Sequence, residues 1–114
     1  MTVSITGERT ILTMIHTYHT TPATQDAVYA GLAQGLETYG TRMAGHLSSS
    51  IHKSLDGERV TSYSLWDAEA SKALFDNPEA LQQSLEWFAP LTKDAHGQDA
   101  HVYGEVFIYQ PPGS

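Results

Sequence analysis

Cysteine is absent from this sequence of 114 residues, which removes disulfide scaffolds, thiolate zinc sites, iron-sulfur clusters and cysteine nucleophiles together. Basic side chains are scarce. Six Lys and Arg stand against thirteen Asp and Glu, a formal charge of -7, the wrong sign for binding nucleic-acid phosphates or an anionic membrane. Long apolar runs are missing too: the opening MTVSITGERT has no signal-peptide core, and no later segment is long enough to span a bilayer. The expectation is a cytoplasmic protein with neither nucleic acid nor membrane as partner. With 40% apolar and 17% charged residues the composition is globular. The length suits one domain over residues 1–114, with 1–9 and 110–114 as loose tails.

What remains as a chemical resource is histidine, six residues, as many as Lys and Arg combined. Thr10 to His19 is rich in β-branched and aromatic residues and reads as a strand. Thr20, Thr21 and Pro22 open a helix reaching about Tyr39, with Val28, Leu32, Leu36 and Tyr39 on one stripe. Gly31 and Gly35 lie beside that stripe at roughly 1 kcal/mol each relative to alanine, which points to close backbone packing or to space left open. HLSSSIHKS and ERVTSYSLW flank Leu55-Asp56-Gly57 as a hairpin. A short helix to about Phe75 follows Asp67. Another starts at Pro78, with Leu81, Leu85 and Phe88 at i, i+4 and i+7. Polar residues through Ala100 read as a loop, and HVYGEVFIY as the last strand.

This order predicts an α+β fold of ferredoxin-like split β-α-β type, a four-stranded antiparallel sheet with helices on one face. The hairpin register then decides which side chains share a face. A two-residue Asp56-Gly57 turn pairs His52 with Thr61. A three-residue loop with Gly57 in a bulge pairs Ser54 with Glu58, and is favoured because one glycine is available and leucine closes a type I′ turn poorly. That choice puts His46, Ser48, Ser50 and His52 on one face with Trp66, Ser64, Ser62 and Val60. It leaves Leu47, Ser49 and Ile51 opposite, with Leu65, Tyr63 and Thr61. Helices over the Ser/His/Trp face would enclose a hollow with polar walls and leave an apolar face for an identical subunit. Helices over the apolar face would make the Ser/His side simply wet. Patterning leaves both arrangements open.

The stretches Pro22-Ala23-Thr24-Gln25, Ala44-Gly45-His46-Leu47-Ser48 and Lys53 to Trp66, above all Asp56-Gly57-Glu58-Arg59-Val60 followed by Tyr63-Ser64-Leu65-Trp66, resemble the antibiotic biosynthesis monooxygenase superfamily over residues 9 to 110. The resemblance implies a homodimeric α+β barrel with a pocket between sheet and helices in each subunit. The nearest likeness is to small quinone-forming monooxygenases of aromatic polyketide pathways, which oxidise an electron-rich phenol or anthrone with O2 as co-substrate and no metal, flavin or haem. Carried over residue by residue, Trp66 matches the family tryptophan and His52 a histidine on the neighbouring strand. Ser62 stands where those oxygenases have asparagine, Lys72 where they have tyrosine, and Glu86 in the helical region that supplies an arginine.

Cofactor-free oxygenation needs a site that binds an aromatic, assists its deprotonation and excludes water. His52 is the candidate base, Ser62 a donor to a developing oxyanion, and Trp66 a flat wall with an N–H. Ser50, Ser64, His16, Tyr18, Lys72 and Phe88 are candidate substrate-binding residues. His16 and His19, three apart on a strand, point to opposite faces, so no metal site is expected. The resembled superfamily includes haem-degrading members whose haem-ligating histidine sits on a crossover helix; residues 78 to 89 contain none, so haem is not expected. The expected function is oxygenation of an electron-rich aromatic polyketide-type substrate in bacterial secondary metabolism. Non-redox tailoring chemistry in the same pocket, or ligand binding without catalysis, are the alternatives.

Overall fold

The computed structural model describes residues 5, 6 and 9–113. Two short N-terminal residues, β1 (Ile5–Thr6), pair antiparallel with the start of β2 (Arg9–His19), so part of the expected N-terminal arm joins the sheet; the rest of that arm lies outside the described residues. Helix α1 (Gln25–Tyr39), strands β3 (His46–Lys53) and β4 (Arg59–Asp67), short helix α2 (Lys72–Phe75), helix α3 (Pro78–Phe88) and strand β5 (Gly97–Tyr103) follow. The four long strands lie in the order β5-β2-β4-β3, all antiparallel. This is the α+β, ferredoxin-like arrangement the sequence predicts. Among the described residues no helix is long and apolar enough to cross a membrane. No group of three His, Asp or Glu among them is placed to hold a metal ion.

The helices cover the face bearing Tyr18, Val60, Ser64 and Trp66, all buried, and α1 sets Val28 and Leu32 against it. α1 begins at Gln25 rather than at Pro22, because residues 21–24 first close a turn: the amides of Thr24 and Gln25 both donate to the Thr21 carbonyl. The delay gives Gln25 a task. Its side-chain amide, buried, donates to the carbonyls of Ser54 (2.8 Å) and Arg59 (3.0 Å) across the base of the hairpin. The two α1 glycines have a concrete cause as well. A Cβ on Gly31 would sit 1.8 Å from the Leu91 carbonyl oxygen, so there the helix and the 3-10 turn Ala89–Leu91 meet backbone to backbone, and one on Gly35 would sit 3.1 Å from the Phe88 ring.

The hairpin register differs from the favoured expectation. Ser54 N–H donates to the Arg59 carbonyl and Gly57 N–H to the Ser54 carbonyl, leaving residues 55–58 as a four-residue loop built on a tight turn. His52 therefore pairs with Thr61, Ile51 with Ser62 and Ser49 with Ser64. The loop is fastened from within and from outside: Asp56 Oδ1 accepts from Ser54 Oγ (2.7 Å) and Glu58 N–H (2.9 Å). Thr20 Oγ1 donates to the Gly57 carbonyl (2.9 Å). Gly57 has φ +80°, and any Cβ there would meet Pro22 at 2.9 Å. Then a bulge between His46 and Ser48 restores His46 opposite Trp66, since an extra residue in one strand inverts everything beyond it.

The last strand is also displaced. It runs over Gly97–Tyr103 and pairs with His19 to Thr13 of β2, not over residues 101–109. Gln98 and Asp99 are poor strand formers, but an edge strand is held by one ladder, and pairing outweighs propensity there. Phe107 and Tyr109 remain largely exposed beyond it. Residues 110–113 carry no helix or strand.

Candidate functional site

Between the covered sheet face and the helices lies a cavity of about 320 Å³. Its floor is the pleat of three strands. Period-two alternation on β2 sends Met14, His16 and Tyr18 into it, β4 sends Ser62, Ser64 and Trp66, and β3 contributes Ser49. The roof is mostly apolar, from Leu36 of α1, Phe75 of α2, and Leu85 and Phe88 of α3, with Ser84 beside them donating its hydroxyl to the Leu81 carbonyl. Among the described residues no Asp, Glu, Lys or Arg lines it. Such a chamber suits a neutral, flat, apolar molecule whose few oxygens meet hydroxyls and one imidazole, since an unpaired charge would lose its hydration without compensation.

Trp66 is 2% exposed. Its indole N–H donates to Ser64 Oγ at 2.9 Å, and the ring leans on Phe75 and His46 at centroid distances of 5.0 and 4.9 Å. Its donor is thus satisfied within the protein, and it presents a wall to the cavity. His16 is the titratable imidazole of the floor. Its Nε2 lies 2.6 Å from Gln98 Oε1 on the neighbouring strand, and its Nδ1 3.3 Å from the Tyr18 hydroxyl. The Tyr18 ring stacks on it at 4.2 Å. Burial lowers the His16 pKa below the ordinary 6.5, while the Gln98 bond and the Asp99 charge oppose the shift. Burial also pushes Tyr18 up to about 12, so its hydroxyl stays protonated.

Of the residues singled out from sequence, Trp66, Ser62, Ser64, His16, Tyr18 and Phe88 meet in this cavity. Three do not. His52 and Ser50 lie on the other, open face, bonded to each other at 2.9 Å and exposed, because the register sets them beside Thr61 and Tyr63. Lys72 stands outside, its ammonium 3.2 Å from Glu69. Glu86 is likewise exposed, accepting from Gln82 at 3.3 Å. Ser49, placed on the apolar face by the favoured register, instead reaches the cavity, and His46 touches its Trp66 wall. The alternative register carried the signal for Ser49; the bulge that keeps His46 with it has no sequence mark.

No protein-family model matches the chain, and no curated protein matches it. Solved structures do. The ActVA-Orf6 monooxygenase of Streptomyces coelicolor, in complex with nanaomycin D, superposes with a TM-score of 0.64 at 21% identity, over 89% of this chain and 91% of that one. SnoaB of Streptomyces nogalater, a cofactor-independent oxygenase, gives 0.55 at 13% identity, over 91% and 98%. A Bordetella bronchiseptica protein assigned as an antibiotic biosynthesis monooxygenase gives 0.60 at 16% identity, over 85% and 98%. Strand order, helix placement and these superpositions together show that the chain has the fold of the antibiotic biosynthesis monooxygenases.

Proposed function

We propose that this protein is a cofactor-independent monooxygenase that converts an electron-rich, uncharged phenol or anthrone of polyketide type to the quinone, with His16 as the base. The observation that carries this is an imidazole, its pKa lowered by burial, on the polar floor of a cavity of about 320 Å³ lined by no charged side chain among the described residues. With Gln98 Oε1 accepting from Nε2–H, the lone pair is on Nδ1, beside a tyrosine hydroxyl that remains a donor. His16 Nδ1 takes the Tyr18 hydroxyl proton as Tyr18 takes one from the bound substrate, so the tyrosine relays the proton and stays protonated. The apolar side chains of the roof hold the rings in place, and Ser62, paired with His16 across the strands, donates to the oxygen of the resulting anion. The anion then reduces O2: for an anthrone, C–H2 plus O2 becomes C=O plus water, one O2 per quinone.

The test is oxygen uptake with an anthrone, after chelator treatment. One O2 per quinone formed is expected, and turnover without O2 would instead support a non-redox reaction, while tight binding without turnover would support a ligand carrier. His16 acts as a base only when neutral, and its pKa lies below 6.5, so kcat/KM is flat at pH 7 and falls on acidification at a midpoint below 6.5. A midpoint above 7 would exclude His16 as the base.

The same reading includes a homodimer. The open sheet face carries Ile11, Ile15, Tyr63 and Leu65 beside exposed Leu47, an apolar surface that no helix among the described residues covers and that a second copy of the sheet would fill. Light scattering is expected to give twice the 12.5 kDa chain mass; a stable monomer at micromolar concentration would refute it.

A further inference from the structure

The cavity holds a second piece of chemistry that oxygenation does not use. The bulge between His46 and Ser48 brings two side chains three residues apart onto one face, and His46 Nε2 lies 2.7 Å from Ser49 Oγ. The tautomer follows from the other nitrogen. Nδ1 is 3.1 Å from the Gly40 carbonyl oxygen, which only accepts, so Nδ1 carries the proton and Nε2 offers its lone pair. The Ser49 hydroxyl therefore donates to the imidazole. Nucleophile, base and orienting acceptor stand in line, with a main-chain carbonyl in the third place.

The surroundings favour use of that hydroxyl. Ser49 lines the cavity, and the His46 ring is held against Trp66. Ser62 is the next residue on the same floor beyond Ser64, the cross-strand partner of Ser49. Its hydroxyl has no hydrogen-bond partner among the described residues, so it is available as a donor toward an oxyanion formed beside Ser49.

We infer that Ser49 and His46 form an acyl-transfer dyad that accepts the acyl group of an uncharged, apolar ester or thioester bound in the cavity. Ser49 Oγ bonds to the carbonyl carbon as its proton passes to His46 Nε2. The bond to the leaving alcohol or thiol breaks, and that group takes the proton. Water, deprotonated by His46, then cleaves the acyl-serine to the free acid and restores the hydroxyl. No oxidant enters, and the roof excludes charged acyl groups as it excludes charged aromatics.

The test uses the intact wild-type chain with a fluorophosphonate probe and with 4-nitrophenyl butanoate, both under argon, so that its outcome is independent of oxygenation. The expected result is one covalent adduct mapped by mass spectrometry to Ser49, and ester hydrolysis. Ser49→Ala loses both, and His46→Gln slows them at least about 100-fold while its melting temperature reports on folding. A wild-type chain that takes no adduct, an adduct on another residue, or hydrolysis at the wild-type rate in Ser49→Ala would overturn the dyad.

Discussion

His16→Gln is expected to lower kcat for quinone formation by about 10²- to 10⁴-fold, the range over which a positioned general base acts, with little change in melting temperature. His16 is only part-buried and glutamine keeps a polar group at the floor, so the change removes a proton acceptor rather than a packing element. The comparison that gives the number meaning is His52→Ala. His52 stands on the open face with Ser50 as its partner, and its replacement is expected to leave turnover within about twofold, as surface changes away from the reacting atoms do. Steady-state oxygen uptake on both variants decides the matter. A large loss at His52 with none at His16 would move the chemistry to the other face of the sheet and overturn the assignment of the cavity.

The largest stability effect is expected at Gly31. Helix propensity alone favours Gly31→Ala by roughly 1 kcal/mol, yet the new Cβ would lie 1.8 Å from the Leu91 carbonyl oxygen and 2.8 Å from its carbon. Main chain cannot rotate away as a side chain does, so α1 and the 89–91 turn must separate. Overpacking of this kind costs about 1–3 kcal/mol or more, and the net expectation is a loss of about 2 kcal/mol, or roughly 10 °C in Tm for a domain of this size. Gly104→Ala is the control. Nothing lies within 4 Å of a Cβ there, and a change within about 0.5 kcal/mol is expected. A Gly31→Ala protein that melts at or above the wild-type temperature would mean the contact with Leu91 yields at no cost.

The two positions illustrate different distances between sequence and fold. Gly31 is visible as an anomaly in a helical stripe, but its cause is a carbonyl sixty residues away. On β4 the alternation of Val60, Ser62, Ser64 and Trp66 is local, and they share a face as the sequence predicts. On β3 the same alternation is equally plain, yet the side to which it turns depends on the loop. One residue of register moved His52 and Ser50 out of the cavity and Ser49 into it. The register was chosen by groups the hairpin does not contain: Gln25 on the Ser54 and Arg59 carbonyls, and Thr20 and Pro22 on Gly57.

Element types, their order and the antiparallel α+β sheet follow from periodicity and turn residues, because those are properties of neighbours along the chain. The absence of cysteine and the surplus of acid likewise limited the chemistry from composition alone. Which histidine meets the cavity was decided by tertiary contacts. His16 enters through its pairing between β4 and β5 and its bond to Gln98, eighty-two residues on, and a bulge sets His46 against the Trp66 wall. A strand presents a side chain to one face or the other with nearly equal local energy, so only packing against distant elements selects between them.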